Sequence, residues 1–335
     1  MTAGGPGSRR ARAGHDLELR TDIATRVLAA GYEPSDPLVV GVQRVDGPPE
    51  LVASGRTPGG ELLGAGTVVY TASLAKQVTA ACAALLVQRH RLDLESTLAS
   101  WVPELPGWAD EVAVRHLISH TSGLPEVDRY GELERAGLDR TTAGVVGALV
   151  RHDRLDCAPG TEHRYSNAGY VCLGLVVARA AGLPLADAAR DLVLAPLGLS
   201  DSRFWSGPAP RPPGAAQLHP LHPAPLSLGD GGFWSTAADL LRWNLAMDRD
   251  ALGVSALVQT PGRLDDGTPL DYAWGIGVRE LGGRRFYLHG GRWAGLNARL
   301  VRFAGRGSGF VLLALDDDEE RLSLLTESML DAQVG

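Results

Sequence analysis

A chain of 335 residues with 44% hydrophobic and 21% charged side chains has the composition of a folded globular protein with a sizeable core. Its net charge of −7 argues against nucleic acid or an anionic membrane surface as a partner. The three cysteines, Cys82, Cys157 and Cys172, are widely spaced and form no C-x-x-C pair, which argues against a zinc site or disulfide framework and predicts reduced, mostly buried thiols.

Residues 1–14 are rich in Gly and Arg and read as a disordered tail. Arg9, Arg10 and Arg12 imitate the basic start of a signal peptide, but the charged stretch Asp16–Asp22 follows where an apolar run is needed. No later segment reaches the ~18 apolar residues of a membrane span. The expectation is a cytoplasmic protein that does not enter a membrane. From Asp16 to Ala30, Leu17, Leu19, Ile23, Val27 and Leu28 suit a helix ended by Gly31. Pro37–Arg44 and Glu50–Ser54, joined by an Asp46-Gly47 turn, read as a β-hairpin.

From Leu74 to about His90 the pattern is helical, with Val78, Cys82, Leu85 and Leu86 near one face. Val114–Pro125 is a short helix running into a turn, and His116 and His120 within it lack the carboxylate of a metal-binding helix, so they read as structural. Further helical patterns cover about 141–153, 167–182 and 185–195. Residues 207–226 form a Pro-rich loop, either a wall or lid beside a binding site or a passive surface excursion. His219 and His222 in it have no third ligand, so no metal is expected. Thr236-Ala-Ala-Asp239 resembles a capping box opening a helix to about Met247. Beyond Gly262 the chain turns to strands at 273–279, 284–289, 297–303 and 309–315, with glycine turns between them, and a last helix at Glu319–Gln333. The fold expected is α+β: an antiparallel sheet flanked by terminal helices (15–72 with 263–335), a mostly helical lobe (73–262), and a cleft between them.

Three short stretches carry chemistry. In Ser73-Leu-Ala-Lys76, Lys76 is the only lysine of the protein, and every other basic residue among the 32 Lys and Arg is arginine. Arginine keeps its proton, whereas a buried lysine amine can act as a base. Three residues apart at a helix N-terminus, the two side chains share a face, where the helix dipole favours developing negative charge. Ser73 therefore reads as a nucleophile and Lys76 as its base. Tyr165-Ser-Asn167 precedes a helix and offers a phenol and an amide; alone it is also an ordinary N-cap. His289-Gly-Gly291 ends a strand at a cleft edge, where glycines let a substrate near the backbone.

In this order the three stretches resemble the serine β-lactamase and penicillin-binding protein family. The class C β-lactamase-like branch, with its esterases, D-stereospecific peptidases and acyltransferases, is the nearer likeness. Val114–Pro125, Pro159–Gly174 and Gly231–Trp243 look like framework segments of that branch, and the likeness spans about residues 38 to 316. It implies a β-lactamase/transpeptidase-like fold and an acyl-enzyme on Ser73 with Lys76 as general base. Tyr165 is then the second proton carrier, Asn167 orients Lys76 and touches substrate, and His289 stands where the third motif usually has lysine. The oxyanion hole is expected at the backbone N–H groups of Ser73 and Arg292. With histidine at position 289, binding of a substrate carboxylate is expected to depend on pH. Arg292 and Trp293 are bulky where small residues are common, implying a narrowed pocket or an anion anchor at Arg292. The function implied is hydrolysis of a small-molecule ester or amide without metal or cofactor, in the manner of a carboxylesterase or D-amidase. A biosynthetic acyltransferase and a ligand-binding member that does not turn over are the alternatives.

Overall fold

The computed structural model describes residues 6–45, 47–127 and 132–334. Among the described residues nine strands appear in chain order: β1 (Leu38–Gln43), β2 (Glu50–Ser54), β3 (Val69–Tyr70), β4 (Arg203–Phe204), β5 (Phe233–Ser235), β6 (Gly277–Leu281), β7 (Arg284–Trp293), β8 (Leu296–Phe303) and β9 (Ser308–Ala314). Six form one sheet in the order β2-β1-β9-β8-β7-β6, with every neighbouring pair antiparallel. The N-terminal hairpin joins the C-terminal meander through β1 and β9, from Leu38↔Ala314 to Gln43↔Gly309. The protein is thus α+β, as the sequence pattern and the resemblance both imply.

Alternation along the strands explains how the sheet is covered on both faces. Leu38, Val40, Val42, Phe310 and Leu312 point to one side, where they pack with Ile23, Leu322, Leu325 and Met329 of the terminal helices Pro6–Ala29 and Glu319–Val334. Val39, Leu300, Val311 and Leu313 point to the other side and join the larger core. That core continues through Leu240 and Leu241 of helix Ala237–Asp248 into the helices Ala75–Gln88 and Asn167–Ala181. The helical segment therefore shares its interior with the sheet.

The first helix begins at Pro6 rather than near Asp16, so residues 6–14 of the expected tail are helical. Proline suits the first helical position, and the Arg and Ala residues after it are strong helix formers. Residues 1–5 and Asp46 of the expected hairpin turn lie outside the described residues. Strand β6 starts at Gly277 and not at Ala273, because a turn bonded from Ala273 N–H to Ile276 O, with Gly275 at φ +73°, occupies the residues before it. Strand β7 does not end at Gly291 but runs on to Trp293. At Thr236 only half of a capping box forms. Its hydroxyl accepts from Asp239 N–H at 3.1 Å, while the Asp239 carboxylate turns to Asp201 N–H and Ser202 Oγ–H.

A second sheet, β3-β5-β4, is built from strands of two and three residues. It positions the site: Tyr70 pairs with Trp234, and both the N–H and the hydroxyl of Thr71 donate to Phe233 O at 2.9 Å. No single helix among the described residues is long and apolar enough to cross a membrane.

Phe310 is fully buried between the sheet and the terminal helices. Phe310→Ala is expected to lower unfolding free energy by about 3–5 kcal/mol in urea titrations; a loss under about 1 kcal/mol would contradict the packing described.

Candidate active site

Ser73 lies in a single 3-10 turn, Ala72–Leu74, that runs directly into the helix Ala75–Gln88. Ala72 immediately before it has φ +48°, a left-handed backbone that an alanine adopts only where its surroundings force it. Two features impose that shape: the Thr71–Phe233 bonds on one side and strand β7 on the other. A Cβ on Gly291 would fall 2.3 Å from Thr71 O, so glycine is required for β7 to pass this close to the nucleophile turn. The sequence reading valued Gly291 for substrate approach; the structure adds the close approach of protein backbone.

Lys76 is fully buried. Its Nζ lies 3.1 Å from Ser73 Oγ, 2.7 Å from Asn167 Oδ1 and 3.0 Å from the carbonyl oxygen of Asp230. All three partners are uncharged. The two carbonyl-type oxygens can only accept, so they take two N–H bonds whatever the charge of the amine. The remaining tetrahedral direction points at Ser73. In a neutral amine that direction holds the lone pair, and the Ser73 hydroxyl can donate into it. Asn167 opens the helix Asn167–Ala181, with Ser166 as N-cap accepting from Gly169 N–H at 3.0 Å. Its oxygen faces Lys76, and Asn167 also lines the cleft.

Tyr165 is brought to the same place, with Lys76 Nζ 4.8 Å from its ring centroid. Behind it is an aromatic cluster in which His120 packs at 4.3 Å from Tyr165, 4.9 Å from Tyr170 and 4.8 Å from Tyr272. His120 Nδ1 accepts from Ser166 N–H at 3.0 Å, which anchors the Tyr165–Asn167 segment. Burial and the nearby Lys76 hold His120 well below the usual histidine range. His116 is structural too, its Nδ1 accepting from Ala113 N–H at 3.1 Å.

His289 departs from expectation. It is buried, its Nδ1 is 2.7 Å from Gly290 O, and its Nε2 is 3.0 Å from Tyr272 Oη. A carbonyl can only accept, so Nδ1 carries the proton and Nε2 accepts from the Tyr272 hydroxyl. Burial, and next the charge of Lys76, push its pKa down to about 3. The expected pH-dependent binding of a carboxylate at His289 is therefore corrected: the imidazole is neutral over the ordinary pH range. It contacts Tyr272 directly, while the Tyr165 ring is 6.2 Å away.

A cavity of about 470 Å³ opens at Ser73. Asn167, Arg292 and Trp293 line it, together with Tyr70, Arg140, Pro225 and Asp230. Trp293 donates its indole N–H to His222 O at 3.2 Å, and Arg140 lies 5.1 Å from its ring centroid. The Pro-rich loop is accordingly a wall of the cleft. His219 and His222 stack on one another within it. Arg292 is largely exposed and ion-paired to Glu319. The three cysteines are free, and burial pushes Cys82 and Cys172 up to about 12.

Sequence reasoning missed the Asp230 carbonyl, the Tyr272 support and Glu319, whereas His120 is structural as expected. The Gly229-Asp-Gly-Gly232 run is the one signal that pointed to a backbone approach at Asp230. Gly231 lies so close to Tyr70 that a Cβ there would be 2.4 Å from the phenol oxygen.

A family model described as Beta-lactamase matches residues 46–333. The chain belongs to the β-lactamase family. Among its relatives, Penicillin-binding protein 4* of Bacillus subtilis is 26% identical over 278 residues, covering 74% of this chain and 60% of that protein. Esterase EstB of Burkholderia gladioli is 37% identical over 158 residues, 42% of this chain and 39% of that protein. The match thus spans about two fifths to three fifths of these relatives' length. The D-stereospecific amidohydrolase from a Streptomyces species superposes with a TM-score of 0.76 at 19% identity, over 92% of this chain and 97% of that one. The D-amino acid amidase of Ochrobactrum anthropi SV3, complexed with L-phenylalanine amide, superposes at 0.75 and 19%, over 94% and 99%. At that identity the likeness shows the shared β-lactamase/transpeptidase fold.

The depressed His289 pKa has a consequence for stability. Between pH 6.5 and about 3 the unfolded chain binds a proton that the folded one refuses, so His289 contributes stability above pH 6.5 that is lost as pH falls through that window. His289→Gln should flatten the acid side of a plot of melting temperature against pH; an equally steep fall would contradict a neutral, buried His289.

Proposed function

We propose that the protein is a serine hydrolase that forms an acyl-enzyme on Ser73 and releases a carboxylic acid from an ester or amide. The observation that carries this reading is the fully buried amine of Lys76, aimed at Ser73 Oγ from 3.1 Å by two neutral acceptors. The family relationship supports it, since its members include proteins named as an esterase and as amidases.

In the first half-reaction the Lys76 amine takes the hydroxyl proton as Ser73 Oγ bonds to the substrate carbonyl carbon. The oxyanion forms at the start of the Ser73 helix, where the backbone N–H of Ser73 is one donor. Arg292 N–H is the second. In an antiparallel pair alternate residues turn their N–H groups toward the partner, and the two-residue β7–β8 hairpin closes at Trp293↔Leu296. The N–H of Arg292 therefore points away from β8, toward the edge of β7 that passes Thr71–Ser73. Collapse of the intermediate breaks the bond to the leaving alcohol or amine, which receives the proton by way of Tyr165. Water then attacks the acyl carbon, giving up its proton along the same groups, and Ser73 leaves as the hydroxyl.

A fluorophosphonate probe read by intact-mass spectrometry should add one adduct, absent in Ser73→Ala. Lys76→Arg keeps a cation but cannot take the proton, and it should slow labelling by about 100-fold or more. Labelling of Lys76→Arg at the wild-type rate, or an adduct surviving Ser73→Ala, would refute the assignment.

Tyr165→Phe separates the two proton steps. A nitrophenolate leaves without a proton, whereas an amine does not. The variant should lose about 100-fold in turnover of an amide and distinctly less in acylation by the matching nitrophenyl ester. Equal losses on both would remove Tyr165 from leaving-group protonation.

A further inference from the structure

Among the described residues lining the cleft, each guanidinium is answered by a carboxylate. Arg140 donates to Glu134 Oε1 at 2.6 Å from one nitrogen and 3.1 Å from another, and its plane lies against Trp293. Arg292, at the rim beside Ser73, is paired with Glu319 Oε2. Glu319 is not itself a lining residue; it sits behind Arg292 in the first turn of the last helix. Its other oxygen lies 3.4 Å from Arg299, a guanidinium that is mostly buried. The positive end of the helix adds to the hold on this carboxylate. Glu319 is thus fixed from three directions, and Arg292 is drawn to it. Asp230 and Asp317 place two further carboxylates on the cleft wall. His289 is neutral, and the amine of Lys76 is enclosed by its three partners.

We propose that Glu319 is a specificity-determining residue: by occupying Arg292 it makes the cleft accept uncharged acyl donors and reject those bearing a carboxylate. The proposal rests on the hydrolase reading and refines its substrate class. Arg292 is the group within the lining whose release would convert the rim into an anion site, because its side chain is 68% exposed and free to turn once Glu319 is neutral. The helix start does not depend on Glu319. The helix start is capped by Asp318 Oδ1, which accepts from Arg321 N–H at 3.0 Å.

The test compares 4-nitrophenyl hexanoate with the mono-4-nitrophenyl ester of adipic acid, which differs by a terminal carboxylate. Acylation is read both by nitrophenolate release and by the mass added to Ser73, so slow deacylation is still scored. The wild type should favour the hexanoate. Glu319→Gln should raise the adipate-to-hexanoate ratio of kcat/KM roughly threefold to fivefold, the scale of one exposed charge pair. Adding Arg292→Ala to Glu319→Gln should cancel the gain. An unchanged ratio in Glu319→Gln, or a gain that survives loss of Arg292, overturns the proposal and leaves the hydrolase reading standing. Failure of the wild type to be acylated at Ser73 by either ester or by the fluorophosphonate overturns both.

Discussion

The site depends on one enclosed amine. Lys76 has no exposed surface, and its three neighbours are a hydroxyl, an amide oxygen and a backbone carbonyl. The two carbonyl-type acceptors orient the amine toward Ser73 Oγ. The surrounding structure serves to keep this arrangement. The helix Ala75–Gln88 fixes Lys76 one turn from Ser73, Asn167 arrives at the first position of its own helix, and the glycine run 229–232 brings the Asp230 carbonyl in.

The turn that carries Ser73 is held from two sides. The short β3–β5 pair grips Thr71 through Phe233 O, and β7 passes the same residue so closely that Gly291 has no room for a Cβ. Between them Ala72 takes a left-handed backbone. Long strands of the large sheet supply the rigidity for β7, because β8 and β9 pack it to both hydrophobic clusters through their alternating side chains. Packing far from the cleft thereby reaches the nucleophile through the backbone of β7, and Ala72 and Leu74 beside Ser73 belong to the same core.

Much of this is legible in the sequence, for identifiable reasons. Short, largely apolar runs such as Leu38–Gln43 and Ser308–Ala314, buried on both faces, and the turn glycines at 282–283 and 305–307 mark the sheet. The spacing of Ser73 and Lys76 and the Tyr165–Asn167 stretch mark the site, because side chains carry that chemistry. What is not legible arises from backbone atoms or from tertiary surroundings. The Asp230 carbonyl has no side-chain signature. Strands of two residues, as at Val69–Tyr70, are too short to show a period. The neutrality of His289 comes from burial beside Tyr272 and Lys76, and the pairing of Arg292 comes from Glu319, which follows it across β8 and β9. The early start of the first helix was hidden by a composition that also suits a tail.

The most direct measurement uses the singular lysine. Turnover of a nitrophenyl ester is quenched in acid within the first cycle, and the protein is cut with a lysine-specific protease, which divides the chain once, after Lys76. The acyl mass is expected on the fragment that ends in Lys76, confined by fragmentation to Ser73. An acyl group on the fragment beginning at Gln77, or on neither while product is released, would contradict it.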